Sequence, residues 1–114
     1  MINVVYNILE QLNLPIKWQL RPPFDKSQIV ISYHFFNEGD MLFGDGSSAE
    51  EGGTLQVDIF SKTDYTGAVK EVKKLLKGAG FLFASSNDDM EELDNNTMIY
   101  HKILIFNYIE SEVI

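Results

Sequence analysis

The sequence predicts a single α+β domain, residues 1–114, in which a mostly antiparallel sheet of about four to five strands carries two helices packed on one face. An amphipathic helical pattern opens the chain, three strand patterns follow, and a second helical pattern precedes two more strand patterns. The predicted order is therefore α-β-β-β-α-β-β. Because helices are too few to alternate regularly with strands, this class is favoured over a parallel α/β sheet.

Size and charge narrow the classes of function. The chain has 114 residues, 45% of them hydrophobic and 12% aromatic, which is enough apolar material for one core. Seventeen acidic residues against nine basic ones give a formal net charge of −8. Tight DNA binding needs Lys and Arg to neutralise phosphates, so this surplus argues against it. The absence of cysteine removes disulfides, thiol nucleophiles and Cys-based zinc sites.

The first third of the chain predicts a short helix and an edge strand. Residues 2–12 place apolar side chains at helical spacing, and Asn13 and Pro15 end that helix. Ile16–Leu20 alternates apolar and polar residues, and the prolines that follow confine this strand to an edge of the sheet. The N-terminus lacks a signal-peptide pattern and no apolar run is long enough to span a bilayer, so we expect a soluble protein without membrane contact, kept in the cytoplasm or carried out inside a larger particle.

The middle of the chain predicts two strands around a long loop. Gln28–Phe36 has apolar residues on both faces, so both sides of this strand should be at least partly covered. From Asn37 to Gly53 the pattern gives way to Gly, Ser and acids, which predicts a long loop, and such loops are usually functional or disordered. Thr54–Ser61 then shows the alternation of a half-exposed strand.

The second helix is predicted over Tyr65–Lys77. Asp64 is placed to cap its start, and Gly78 or Gly80 can supply a left-handed end. Its polar face carries four lysines, three of them in the last turns, where the helix dipole favours cations. On a protein of net charge −8, this segregated positive face indicates self-association through complementary charge. The lysines are Lys70, Lys73, Lys74 and Lys77.

Two strands are predicted after this helix. Phe81–Ala84 begins one of them, and the acidic stretch Asn87–Asn96 interrupts it. Thr97–Ile109 is the longest strand signal and has apolar residues on both faces, so it should be central and covered on both sides.

No pattern in the chain points to catalysis, a cofactor or a metal, and we expect a protein that is not an enzyme. His34 and His101, the two histidines, fall in predicted strands without a nucleophile motif or a second histidine at ligand spacing, so they are interpreted as satisfied residues at a sheet face or a subunit contact. Lys102 is expected to pair with an acid at a strand edge. The acidic clusters lack the ligand spacing of a calcium loop, and the glycines form no phosphate-binding motif.

The second half of the chain resembles the tail terminator and head-to-tail joining (tail completion) proteins of long-tailed bacteriophages and their prophages. The specific part is the passage V-D-I-F-S-K-T-D-Y at residues 57–65, the Gly80-Phe81 pair after the helix, and the aromatic strand around Tyr100–Tyr108. In element order the resemblance spans about residues 1–110.

The resemblance implies a structural subunit without enzymatic activity. Such subunits assemble as a ring, commonly a hexamer, on the end of the tail tube, stop tube polymerisation and join the tail to the head. The implied partners are further copies of the chain, the tail tube protein and a head connector or adaptor, in the host cytoplasm during assembly and then in the virion. DNA passes through the ring without specific binding.

Two sets of residues follow from this picture. The loop between the second and third strands is expected to face the channel or an axial partner, and its acids suit a lumen that repels phosphate. Its candidates are Glu38, Asp40, Met41, Leu42, Phe43, Asp45, Glu50 and Glu51. A subunit interface is expected where the lysines of the second helix meet a neighbour's acidic turn. The candidates in that turn are Asp88, Asp89, Glu91 and Glu92.

A second class of function stays open at this point. The same acidic surface is typical of a small adaptor or inhibitor domain that occupies a basic protein partner, as a nucleic-acid mimic does.

Overall fold

The computed structural model describes residues 1–43, 48–93 and 97–113, and for residues 40–43 and 48–49 it describes the backbone alone. Within these residues the predicted order α-β-β-β-α-β-β is confirmed. Short 3₁₀ turns follow the first helix and the last strand. The elements are α1 (Ile2–Leu9), β1 (Ile16–Trp18), β2 (Ile29–Phe43), β3 (Ser48–Ser61), α2 (Thr66–Gly78), β4 (Leu82–Glu92) and β5 (Met98–Ile109).

The five described strands form one mixed sheet in the order β1-β2-β3-β5-β4. Three of its four pairings are antiparallel, and β1 pairs with β2 in parallel. The parallel pair arises because the chain leaves β1 and returns through residues 19–28 before it enters β2 in the same direction. As predicted, β1 lies at an edge of the sheet, and β4 forms the other edge.

Both helices pack on one face of the sheet, as the sequence predicts. The buried positions of each helix recur every three or four residues, at Val5 and Leu9 on α1 and at Val69, Val72 and Leu76 on α2. They meet a layer of apolar side chains that project from alternate positions of the three inner strands. That layer consists of Ile31, Tyr33, Leu55, Val57, Ile59, Leu104, Phe106 and Tyr108.

Asp64 and Gly80 lie at the two ends of α2, although the N-cap position is Tyr65 and Asp64 precedes it by one residue. The Asp64 carboxylate accepts hydrogen bonds from the backbone amide of Thr66, at 2.9 Å, and from its hydroxyl, at 2.7 Å. After the helix, Gly80 adopts a φ of 105°, and its amide donates to the Lys77 carbonyl at 3.1 Å. The Phe81 amide donates to the Leu76 carbonyl at 3.0 Å, which completes a Schellman motif and turns Phe81 into the core.

The opposite face of the sheet is partly covered by the segment that connects β1 and β2. Phe24 of this segment is buried against Val30, Phe60 and Ile99. The guanidinium of Arg21 lies 5.3 Å from the centre of the Phe24 ring, within the range of a cation–π interaction. A second, smaller apolar cluster therefore forms on the face that has no helix among the described residues.

The prediction of a long loop over Asn37–Gly53 is wrong. β2 and β3 continue through most of this segment as an antiparallel hairpin, with Gly39 opposite Gly52 and Phe43 opposite Ser48. A bulge between Phe36 and Gly39 separates this part from the body of the sheet. The ladder is made by backbone groups, so it extends through glycine and acidic residues whose strand propensity is low.

The sequence predicts that the acidic stretch after Ala84 interrupts the strand, and this prediction is wrong. β4 runs through it to Glu92 and pairs with β5 along its length, with Asp88 opposite Lys102 and Met90 opposite Tyr100. β5 is flanked by β3 and β4, but its first residues are not covered on both faces, since Met98 and Tyr100 are 47% and 43% exposed.

β3 is more deeply buried than predicted. The sequence indicates a half-exposed strand, but β3 occupies the centre of the sheet, and Thr54 and Asp58 on its polar face are buried. The β2–β3 hairpin and the β4–β5 hairpin end at opposite ends of the sheet, because Ser61 pairs with Tyr100 and Gly52 with Ile109. The molecule is correspondingly elongated, 55 Å along its longest axis against 24 and 21 Å across it.

Candidate functional site

The β2–β3 hairpin extends past the rest of the sheet as an acidic arm, which we define as residues 38–51. The last pairing of β3 with β5 is Gly52 with Ile109, whereas β2 and β3 stay paired as far as Phe43 and Ser48. Four further residues of strand correspond to about 14 Å of added length. Residues 38–43 and 48–51 of the arm therefore belong to extended strands rather than to a loop.

Three carboxylates gather at the root of the acidic arm. Glu38, Glu51 and Glu110 line one concavity of about 280 Å³. The pKa of the nearby Tyr108 is raised, first by burial of its ring and then by the charges of Glu38 and Glu110. Further out, the exposed Glu50 accepts a hydrogen bond from the Ser111 hydroxyl at 3.1 Å.

The remaining predicted residues of the acidic arm are described incompletely. The backbone of Asp40, Met41, Leu42 and Phe43 belongs to β2. Asp45 lies outside the described residues. Glu38, Glu50 and Glu51 are exposed to solvent.

The lysine face of α2 lies beside β4 of the same chain. Lys70, Lys74 and Lys77 are exposed, and the ammonium of Lys73 lies 4.4 Å from the centre of the Phe83 ring. That distance is within the range of a cation–π interaction. One concavity of about 360 Å³ is lined by residues of α2, β4 and β5. They are Tyr65, Thr66, Val69, Lys70, Lys73, Asp88 and Lys102.

Two of the four predicted interface acids already have partners within the chain. Asp88 lies 3.1 Å from the Lys102 ammonium and accepts a hydrogen bond from the Tyr65 hydroxyl. The expectation that Lys102 pairs with an acid at a strand edge is therefore confirmed. The hydrogen bond to Asp88 raises the pKa of Tyr65 to about 12. Glu91 contacts His101, whereas Asp89 and Glu92 are exposed on the edge strand.

A row of polar side chains crosses the sheet face opposite the helices. The buried carboxylate of Asp58 lies 2.8 Å from Nε2 of His101, and Nδ1 of the same ring lies 2.8 Å from Glu91. Gln56 donates from Nε2 to Asp58 at 3.0 Å. Nδ1 of His34 is 3.8 Å from Asp58, beyond hydrogen-bonding distance. Both histidines therefore lie at a sheet face, as predicted.

The position of His101 favours its charged form. Burial alone lowers the pKa of the imidazole, but the hydrogen bonds and charges of Asp58 and then Glu91 outweigh it, so the pKa lies above its ordinary value of 6.5. Both ring nitrogens face carboxylates, so only the imidazolium can donate in both directions. This arrangement links β3, β4 and β5 through Asp58, Glu91 and His101.

Sequence reasoning missed the role of Asp58. A polar residue between Val57 and Ile59 fits a half-exposed strand, so the sequence predicts that Asp58 faces solvent. The available signal was that His34, Asp58 and His101 are all ionisable residues in predicted strands. The register that brings them together is tertiary information.

The described residues carry neither a metal cluster nor a membrane-spanning helix. Among residues 1–43, 48–93 and 97–113, no group of three or more His, Cys, Asp or Glu side chains is arranged to hold a metal ion. In the same ranges, no helix has the length and apolarity needed to cross a membrane.

Comparisons with known proteins find a similar fold in a solved structure. No protein-family model matches the chain, and no curated protein matches it in sequence. A solved structure described as the virion of a native gene transfer agent (GTA) particle contains a chain with the same fold, with a TM-score of 0.54 and 14% sequence identity. The match covers 92% of this chain and 90% of that one, so the two chains share their fold over nearly their whole lengths.

Proposed function

We propose that this chain is a structural subunit of a phage-like virion, and that it forms a ring on the end of the tail tube, ends tail polymerisation and joins the tail to the head. The observation that carries the proposal is the shared fold with a chain of a gene transfer agent virion, over 92% of this chain. The sequence resemblance to tail terminator and head-to-tail joining proteins supports the finer assignment. The partners are further copies of the chain, in a hexamer, together with the tail tube protein and a head connector.

The acidic arm supports a place beside the DNA channel. Its exposed carboxylates, Glu38, Glu50 and Glu51, lie on a hairpin that extends away from the body at one end of the sheet. A channel through which DNA slides must not bind phosphate, and carboxylates repel it. The arm, with its predicted residues Asp40, Met41, Leu42, Phe43 and Asp45, is therefore proposed to face the channel or an axial partner.

Assembly on purified tail tubes tests this function directly. Tubes grown in the presence of the protein should stop at a ring and then accept heads, and negative-stain images would measure both tube length and the fraction of joined particles. A protein that stays monomeric with tail tubes and instead binds a basic protein would contradict the proposal and favour the acidic adaptor or inhibitor.

A matched pair of charge changes tests the acidic arm. Glu38→Lys with Glu51→Lys should slow DNA ejection from assembled particles and lower gene delivery, because two repelling charges become attractive. Glu10→Lys with Glu71→Lys makes the same change in net charge at exposed helix positions away from the arm. Equal ejection rates for the two double variants would count against a channel-facing arm, whereas ring assembly should be normal in both.

A further inference from the structure

The exposed large apolar side chains are confined to the two sides of the sheet. Among the residues whose side chains the structure describes, nine are large, apolar and exposed. Four of them lie at the side of the sheet formed by β1, in α1, in β1 and in the segment that directly follows β1. The other five lie at the opposite side, in β4 and at the start of β5. The β1 side consists of Ile2, Tyr6, Trp18 and Leu20, and the β4 side consists of Leu82, Phe83, Met90, Met98 and Tyr100.

Both sides also present a free sheet edge. β1 pairs with β2 alone and β4 with β5 alone, so each has one edge without a backbone partner in the part of the chain that the structure describes. Free edges expose N–H and C=O groups that favour pairing with another chain. β4 offers such an edge from Leu82 to Glu92, and every residue of it except Glu91 is exposed to solvent.

On each side of the sheet, an apolar side chain of the edge strand points to the helix face and a charged side chain next to it points to the opposite face. Trp18 pairs with Tyr33 and therefore points to the helix face, which is also the face of Met90 and its partner Tyr100. Lys17 and Asp89 both point to the opposite face. If the sheet of one copy continues into the sheet of the next, apolar side chains meet apolar side chains on the helix face, and Lys17 meets Asp89 on the other.

The charges of the two sides are complementary. Lys17 and Arg21 on the β1 side are basic and exposed, whereas the exposed acids of the β4 side include Asp89 and Glu92. Asp88 and Glu91 are held within the chain by Lys102 and His101, as described above, so Asp89 and Glu92 are the acids left to meet a neighbour. Complementary charge of this kind fixes the orientation of two partners and speeds their encounter.

We propose that the β1 side of one copy binds the β4 side of the next, and that this contact builds the ring. The inference rests on the proposed function and adds the interface to it. The two surfaces are different patches of the same chain, so the contact is heterologous and repeats by rotation until it closes. Lys73 lies 4.4 Å from the centre of the Phe83 ring on the β4 side, so the lysine face of α2 borders this contact without forming its centre.

Cysteine pairs test the interface cleanly, because the chain has no native cysteine. A mixture of the Lys17→Cys and Asp89→Cys variants should give disulfide-linked dimers under mild oxidation on tail tubes. The double variant should give a series of cross-linked oligomers, the largest of which is the complete ring. The control mixture is Lys77→Cys with Asp89→Cys, which probes a contact between the α2 lysines and a neighbour's acids. Cross-linking of the control mixture in place of the first one overturns the proposal.

Apolar substitutions provide a second measurement. Trp18→Lys and Met90→Lys each remove a large side chain from the centre of a side, and each should raise the protein concentration needed for half-maximal ring assembly about tenfold or more. Glu71→Lys, an exposed change on α2, should leave that concentration unchanged. Rings that form normally in both Trp18→Lys and Met90→Lys refute the interface but leave the proposed function intact. If the wild-type protein forms no ring on tail tubes, both proposals are wrong.

Discussion

The imidazole of His101 donates toward the buried carboxylate of Asp58 at 2.8 Å, and its other nitrogen lies 2.8 Å from Glu91. Three strands are thereby joined through one ring on the face opposite the helices. Because Asp58 is buried, its carboxylate depends on His101 and Gln56 for partners. The pair therefore has consequences for stability that can be measured separately from any assembly.

Protein stability should fall as the pH rises through the pKa of His101. The folded-state pKa lies above 6.5, so the stabilisation by the charged imidazole is fully present below about pH 6.5 and is lost as the pH rises through the folded pKa. Urea unfolding at a series of pH values from 5.5 to 9 would measure it. His101→Gln removes the titrating group and should flatten this part of the curve. Parallel curves for the two proteins would contradict the assignment of this pH dependence to His101.

Removal of the Asp58 carboxylate should cost more than removal of the nearby His34. Asp58→Ala leaves His101 without its buried partner and should lower the free energy of unfolding by about 2 to 4 kcal/mol. His34→Ala removes a half-exposed ring at 3.8 Å and should lower it by less than about 0.5 kcal/mol. Chemical denaturation of both variants checks the difference, and equal losses would contradict the assigned hydrogen-bond network.

Two glycines near the end of α2 should respond to alanine in opposite directions. Gly80 has a φ of 105°, and a Cβ there would collide with the backbone of Glu112, so Gly80→Ala should destabilise the protein by more than about 1 kcal/mol. Gly78 is helical and has open space around it, so Gly78→Ala should stabilise by about 0.4 to 1 kcal/mol. Thermal unfolding of the two variants measures both signs.

The acidic arm should be dispensable for folding. Residues 40–43 pair with residues 48–51, and Gly39 lies opposite Gly52, so an Asn-Gly turn can replace residues 40–51 as a tight hairpin. The free energy of unfolding should change by less than about 1 kcal/mol, since the helix-side core stays intact. The shortened protein should still form rings on tail tubes but fail to join heads in the assembly assay. Normal joining would argue that the arm meets no axial partner.

Local sequence patterns determined much of the architecture. Helical spacing predicts both helices, Asn13 and Gly80 mark their ends, and the order of the strands follows from alternation between breaks. The lysine face of α2 and the edge position of β1 are also apparent in the sequence. These features depend on residues close together in the chain, so a window of a few turns or a few strand residues contains the information needed.

Tertiary structure alone decided the features that depend on strand pairing. The acidic arm and the continuation of β4 to Glu92 are formed by backbone hydrogen bonds between strands. The sequence does not predict these strand segments, because glycine and acidic residues have low strand propensity. The burial of Asp58 likewise depends on the register that places His101 beside it, and one residue of slip would turn it to the other face. The sequence therefore determines which segments become helices and strands, whereas long-range backbone pairing determines where the charges of this protein are exposed and where they are paired.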